Sequence, residues 1–230
     1  MRFDVLTLFP ELIKSQMDFS IMKRAIDDGI IEVNAINPRD YSEDKKHHRV
    51  DDTPYGGGVG MVLAPQPYVD AYEDIDKLEN SITVMMTPQG EPFTDKLSNE
   101  LAKYNQVVIL CGHYEGFDER IREIIKPKEI SIGDFVLTGG ELPALCIIDS
   151  VSRKIDGTLG KIESAHDDSF SDGLLEYPQY TKPRVYRGLE VPEVLLNGNH
   201  KLIEEYRLSE KIKRTKERRP DLYKKWQENN

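Results

Sequence analysis

Two neighbouring stretches, VVILCGHYEGFDER (residues 107–120) and EISIGDFVLTGGELPA (residues 129–144), decide the fold. In the first, the apolar run Val107-Val108-Ile109-Leu110 ends in Cys111-Gly112. In the second, Ile130-Ser131-Ile132 ends in Gly133 and is followed by Leu137-Thr138-Gly139-Gly140-Glu141. Each is a buried-strand pattern that runs into a glycine turn and leads on to a helical pattern. Open α/β sheets place their ligands beyond such strand ends. Glycine there lets the backbone approach a ligand closely. Either turn alone reads as an ordinary βα connection. Two of them close together, both carrying acidic and aromatic residues, favour a site.

Working outward, strand and helix patterns alternate. Residues 3–9 (FDVLTLF) form the first strand pattern, and Pro10 opens a helix where its missing N–H costs nothing. Residues 20–28 predict a second helix with Ser20 as N-cap and Gly29 as stop, followed by a strand over 30–36. Residues 67–78 predict a helix. Residues 82–86 predict a strand ending in the turn Thr87-Pro88-Gln89-Gly90. Thr94 caps a helix reaching Tyr104, and a strand follows over 106–110. A helix over 117–125 presents Ile121, Ile124 and Ile125, and a strand covers 129–132. A helix over 141–155 presents Leu142, Leu145 and Ile148, with Arg153 near its end. Such alternation implies a largely parallel sheet covered by helices.

Residues 37–65 differ from their surroundings, with the cluster Lys45-Lys46-His47-His48-Arg49, the pair Asp51-Asp52 and a glycine run at 56–60. So long a polar segment is either functional or disordered. The glycine run lacks the Gly-Lys-Ser/Thr of a phosphate loop, and no strand leads directly into it. His47-His48 have no cysteine or carboxylate at ligand spacing. Residues 156–171, with Gly160 and Asp167-Asp168-Ser169-Phe170, read as a polar linker. Beyond it comes an extended aromatic stretch over 174–183, then short helices over 193–196, 199–216 and 220–227.

The 230 residues suit one large domain or a domain with an appendage. The composition, 38% hydrophobic and 31% charged, is that of a soluble globular protein with enough apolar residues for a core. The opening MRFDVLTLFPEL carries no signal-peptide pattern, and no apolar run approaches the roughly 20 residues of a membrane span. Cys111 and Cys146 sit in apolar settings, so a cytoplasmic protein without disulfides is expected. The net charge of −10 argues against a general nucleic-acid coat. Residues 201–230, however, hold ten Lys/Arg against six Asp/Glu. A basic end on an acidic body suits local phosphate binding; a solvated, salt-bridged helix reads equally well.

Seven blocks in this order resemble the bacterial tRNA (guanine-N1)-methyltransferase family of the SPOUT superfamily. They are FDVLTLFP (3–10), PYGGGVGM (54–61), TPQG (87–90), CGHYEGFDER (111–120), SIGDFVLTGGE (131–141), DSF (168–170) and YPQYTKP (177–183). The resemblance spans essentially the whole chain. It implies an α/β fold of SPOUT type, a parallel sheet with a C-terminal trefoil knot, plus a small helical C-terminal domain. It implies a cofactor-binding catalytic domain over 1–157, a flexible linker over 158–173 and a helical tRNA-binding domain over 174–230. It further implies a homodimer, S-adenosyl-L-methionine as methyl donor, a divalent ion such as Mg2+, and methylation at N1 of guanosine 37 beside the anticodon.

By the same resemblance, the cofactor pocket would be lined by Thr87 and Pro88 from one turn and by Gly112, Glu115 and Gly116 from the next. Ser131, Ile132, Gly133, Asp134, Phe135, Val136, Leu137, Gly139 and Gly140 would complete it. The chemistry fits these residue types. Freed backbone groups in glycine turns can read an adenine edge, and a carboxylate such as Glu115 favours a sulfonium cation. Guanine N1 carries a proton at neutral pH, so its methylation calls for a general base. The resemblance gives that role to Asp168, which the residues alone do not separate from Asp167. Arg153 would stabilise the charge developing on guanine O6, although a cation ending a helix also serves the helix dipole. The family carries Arg or His at the position of His113, so no ligand role is assigned to it. The basic tail would hold the anticodon stem-loop through phosphates.

Two other readings compete. A phosphate-binding nucleotide enzyme would want lysine or arginine around the glycine turns, whereas these carry Glu115, Asp118 and Asp134. A non-catalytic RNA-binding module would leave the acidic glycine turns without a purpose.

Overall fold

The structure, a computed structural model, describes residues 1–159 and 168–229. The linker positions Gly160 and Asp167 lie outside the described residues. The chain divides into two compact units, Met1–Gly160 and Lys161–Asn230.

The first unit is built on β1 (Arg2–Leu6), β2 (Glu32–Ile36), β5 (Ser81–Pro92), β6 (Gln106–Cys111) and β7 (Lys128–Ser131). They pair in the order β2-β1-β6-β5-β7, and every pairing is parallel. The short strands β3 (Asp51–Asp52) and β4 (Val62–Leu63) form a separate antiparallel pair. Around the sheet lie α1 (Pro10–Met17), α2 (Ser20–Asp27), α3 (Pro65–Glu73), α4 (Asp95–Leu101), α5 (Glu119–Ile125) and α6 (Glu141–Ser152).

Alternation along the strands divides the core in two. Phe3, Val5, Val84, Val107 and Ile109 face one cluster, which includes Ile13 of α1, Leu101 of α4 and Ile147 of α6. Leu6, Met85, Val108 and Leu110 face the other, with Tyr68 of α3 and Ile121 of α5. Every residue of β6 is buried, which is why this strand reads as a continuous apolar run. Fully burying each such aliphatic side chain is worth about 1.5–3 kcal/mol.

Several element ends differ from the sequence expectation. The first strand stops at Leu6; Thr7 N still donates to Ile36 O at 3.0 Å, while Phe9 is exposed. Ser20 does not cap α2: the helix starts on it, Phe19 holds the extended position before it, and no side chain bonds the free N–H groups. Ile30 and Ile31 both donate to Ala25 O, so the second strand begins only at Glu32. Helix α3 starts two residues early, at Pro65, and stops at Glu73. Thr94 does cap α4, accepting from Leu97 N at 3.3 Å. Ile124 of α5 is exposed rather than packed. The buried face of α6 is Ala144, Ile147, Ile148 and Val151, while Leu142 is exposed.

The second unit has an extended segment over 174–183, anchored by buried Leu174 and Tyr177. A small hairpin of β8 (Val185–Tyr186) and β9 (Leu189–Glu190) follows, which the sequence reading missed. A 3-10 turn (Glu193–Leu195) and the helices His200–Arg218 and Pro220–Asn229 complete it. Leu175 N donates to Thr215 Oγ1 at 2.8 Å, and Lys211 pairs with Asp172, so the extended segment is fastened to the long helix. No helix among the described residues is long and apolar enough to cross a membrane.

Candidate active site

Because β6, β5 and β7 are adjacent and parallel, their C-terminal ends open at the same edge of the sheet. The loops leaving them surround a cavity of about 310 Å³, within the range of small-ligand sites. The first loop is a bulge inside β5. Met86 and Glu91 both pair with Ile130, so residues 87–90 are pushed out of the ladder. The second follows Cys111, where Gly116 N donates to His113 O at 3.1 Å and Asp118 caps α5 by accepting from Arg120 N at 2.9 Å. The third follows β7. Ser131 is buried, and its hydroxyl donates to Gly133 O (3.0 Å) and accepts from Gly133 N (3.2 Å), which shapes the turn.

The third loop then returns to the second. Gly140 N donates to Gly112 O at 2.8 Å, and His113 and Gly139 form an antiparallel bridge. This return requires glycine: a Cβ on Gly140 would lie 2.8 Å from Cys111 Cα and 2.9 Å from Gly112 N. The exposed glycine-rich segment over 54–61 is tied to the same turn, since Glu115 N donates to Met61 O at 3.0 Å. Gly60 packs so tightly on Glu115 that a Cβ there would fall 2.4 Å from its Oε1.

Thr87, Pro88, Gly112, Glu115, Gly116, Ser131, Ile132, Gly133, Phe135, Val136, Leu137, Gly139 and Gly140 all line this cavity. Asp134 is not among the lining residues; it is exposed. Arg153 does not line the cavity either. It ends α6, its N–H donating to Asp149 O at 3.1 Å. Asp168 belongs to the second unit, where Ser171 N and Oγ donate to its carbonyl at 3.3 and 2.8 Å.

The wall includes residues that the sequence reading passed over: Gln89, His113, Tyr114, Arg122, Thr138 and Pro143. Gln89 and Thr138 stand inside quoted turns, so their place was available from the sequence. Arg122 gave no signal. It reaches the cavity from α5, held by Glu119 at 3.1 Å and Glu129 at 3.2 Å. His113 packs between Phe9 (5.1 Å) and Tyr114 (4.7 Å). Its Nδ1 is buried with no hydrogen-bond partner among the described residues.

The electrostatics separate structural groups from available ones. Burial pushes the Cys111 thiol well above its usual range, and neighbouring Glu141 adds to the shift. Burial does the same to the Tyr68 hydroxyl, which donates to Cys111 O at 3.3 Å. Neither is a nucleophile at neutral pH. The hydrogen bonds from Arg120 hold the Asp118 carboxyl below its usual range. A carboxylate (Glu115), backbone-lined glycine turns and aromatic rings thus surround one pocket. That donor set suits a flat heterocycle carrying a positive charge. Among the described residues no group of three or more His, Cys, Asp or Glu is arranged to hold a metal ion.

The family model described as tRNA (Guanine-1)-methyltransferase TrmD matches residues 1–225. The chain is 55% identical over 228 residues to a tRNA (guanine-N(1)-)-methyltransferase of Clostridioides difficile, covering 98% of each chain. It is 54% identical over 226 residues to one of Staphylococcus epidermidis, covering 98% of this chain and 92% of the relative. It is 52% identical over 231 residues to one of Gloeothece citriformis, covering the whole of both.

Proposed function

The chain belongs to the tRNA (guanine-N1)-methyltransferase family, and from that premise we propose how it carries out the methylation of guanine N1 in tRNA. The methyl donor is S-adenosyl-L-methionine, bound in the cavity beyond β5, β6 and β7. The observation that carries this is the meeting of three strand-end loops around one pocket, with Glu115 in its wall. The donor supplies an electrophilic methyl group on a sulfonium. Backbone groups of the turns at Thr87, Gly112 and Ile132–Gly140 hold its adenosine, and the Glu115 carboxylate favours its cation.

The acceptor is guanosine 37. Asp168 takes the N1 proton as the new N–C bond forms and the methyl–sulfur bond breaks, its electron pair returning to sulfur to leave S-adenosylhomocysteine, and Arg153 stabilises the charge spreading to O6. Residues 1–157 carry cofactor binding and catalysis, 158–173 form the linker bearing the base, and 174–230 hold the anticodon stem-loop. The run KIKRTKERRPDLYKK (211–225) supports the last assignment. The knot of the family is proposed for the stretch from β6 to α6; the contact of Gly140 with Cys111 and Gly112 supports it. A cytoplasmic location follows from the substrate. The family's Mg2+ finds no fitting cluster among the described residues.

A homodimer is proposed as the working state. In its support, α1 and α6 are neighbours in the first unit and leave Phe9, Leu12 and Leu142 exposed. Large apolar side chains exposed on neighbouring elements suit a protein–protein contact.

The decisive experiment measures methyl transfer from labelled S-adenosyl-L-methionine to a tRNA transcript with guanosine at position 37 and to the same transcript with adenosine there. Transfer to the first alone, largely lost in Asp168→Ala, is expected. Undiminished transfer by the variant removes Asp168 as the base. No transfer by the wild type removes the substrate.

A further inference from the structure

The second unit contains a cavity of its own, of about 470 Å³. It lies between the extended segment over 174–183 and the long helix His200–Arg218, and nothing in the methylation chemistry above uses it. Its charged residues are all cationic, Lys182, Arg184 and Arg207, and Gln179 and Thr181 add neutral polar groups. Tyr180 supplies an exposed ring, Tyr177 lies buried at the base, and Val191, Leu195, Leu196 and Ile203 supply aliphatic packing.

The cations are not equally committed. Arg184 is paired with Glu193 at 2.7 Å. The Arg207 guanidinium instead stacks over Tyr177 at 4.7 Å from the ring centre, and its Nε is buried without a hydrogen-bond partner among the described residues. A planar cation laid on an aromatic ring is a ready platform for another flat, electron-rich ring. Tyr180 is held in place by a hydrogen bond with Tyr206, whose hydroxyl is pushed up to about 12 by burial and by that bond. Lys182 is exposed at the rim. The cavity therefore offers a stacking floor, an aliphatic wall and a cation at the mouth. An acyl chain has no use for three cations, and an acidic peptide has no use for the stacked floor.

We infer that this cavity is a second nucleotide-binding site, taking one unpaired nucleotide with its base against the Arg207 guanidinium, which Tyr177 backs, and its phosphate at Lys182. The inference rests on tRNA being the substrate, and the occupant is then a nucleotide of the bound tRNA; a free mononucleotide has the same chemistry. Base stacking of this kind tolerates any base and contributes roughly 1–3 kcal/mol per base.

The test uses the full chain and two variants, Arg207→Gln and the exposed Lys182→Gln, with Lys96→Gln on α4 as a charge control. Adenosine and uridine 5′-monophosphates are titrated calorimetrically with S-adenosyl-L-methionine saturating, so that the first cavity is filled. KM for tRNA and kcat are measured separately. The expected result is a rise of about tenfold in KM for tRNA in both variants, without a matching fall in kcat and with no change in the control. Mononucleotide binding that weakens in both variants while KM stays fixed supports the site and identifies a free nucleotide as its occupant. Unchanged KM together with no mononucleotide binding overturns the inference. Should the wild type methylate no tRNA, the mononucleotide titration still decides the site, so the two failures are distinguishable. Lys182→Gln keeps the test readable if Arg207→Gln does not fold.

Discussion

Thr7 Oγ1 donates a 2.7 Å hydrogen bond to Glu141 Oε1, and both residues are buried. Thr7 follows the first strand and Glu141 opens α6, 134 positions later. The same hydroxyl accepts from Phe9 N at 2.9 Å, which turns the chain towards α1. The carboxylate lies in the first turn of its helix, where the dipole favours negative charge. Its other oxygen abuts Gly139, whose added Cβ would fall 2.3 Å away. One buried carboxylate therefore joins the end of β1 to the loop that closes the cavity.

Replacing Thr7 by valine keeps the shape and removes the donor, leaving a buried carboxylate oxygen short of a partner. The expected loss is about 1–3 kcal/mol of stability, read from urea unfolding. Thr7→Ser keeps the hydroxyl and is expected to lose much less. Equal midpoints for wild type and Thr7→Val would show that the bond contributes nothing.

Gly140→Ala tests the close return of the third loop. Gly140 has φ −83°, which alanine adopts freely, so any effect is steric. The added carbon meets backbone at Cys111 and Gly112, and backbone cannot swing aside as a side chain can. The protein is expected to fold with its cavity displaced, weakening S-adenosyl-L-methionine by about tenfold or more in calorimetry. Wild-type affinity would mean the turn yields without cost.

The centre of the sheet was legible because β6 is buried along its whole length and so reads as an apolar run ending in glycine. The order of the strands was not legible, since periodicity says which residues are buried and not which strands adjoin. The cavity residues were legible by block resemblance, and Asp134 shows the limit of that method. A motif carries its turn as a whole, while one residue of it, exposed Asp134, stays outside the lining of the cavity. Leu142 misled for a related reason. The apolar content of α6 is high on nearly every face, so spacing could not say which side meets the sheet. Arg122 was invisible because its position depends on two glutamates in different elements.

Glu115→Gln removes a charge while keeping the shape of the side chain. If the carboxylate acts on a sulfonium, affinity for S-adenosyl-L-methionine should fall about tenfold, or about 1.4 kcal/mol. Affinity for the uncharged product S-adenosylhomocysteine should hardly change. Equal loss for both ligands would assign Glu115 to shaping the turn through Gly60 instead.

Asp118 both caps α5 and pairs with Arg120 through two bonds of 2.8 and 2.7 Å. Its carboxyl is held low chiefly by those Arg120 bonds. A depressed folded pKa contributes stability above the unfolded value and loses it as pH falls through the folded value. Asp118→Asn keeps an N-cap and removes the charge. The stability gap between wild type and this variant should be constant near neutrality and close below the usual carboxylate range. Melting curves from pH 7 to pH 2 check this; a gap independent of pH would mean that the cap alone matters.

One side of α6 faces away from its buried residues Ala144, Ile147 and Ile148. Leu142 and Cys146 stand four residues apart on that side and are both exposed, so they share one stripe of the helix. Phe9 and Leu12 extend the apolar surface onto neighbouring α1. If a second copy covers this face, Leu142→Arg places an unpaired charge in the contact, which costs several kcal/mol, and the protein should run as a monomer in light scattering. The charge lies on the outer side of α6, away from Ala144, Ile147 and Ile148, so the fold should survive and circular dichroism should match the wild type. Alkylation supplies an independent reading. Cys111 is fully buried and should stay unmodified in both proteins, whereas Cys146 should react faster in the variant than in the wild type. A variant that remains dimeric, with Cys146 no more reactive than before, would move the interface to another face of the molecule.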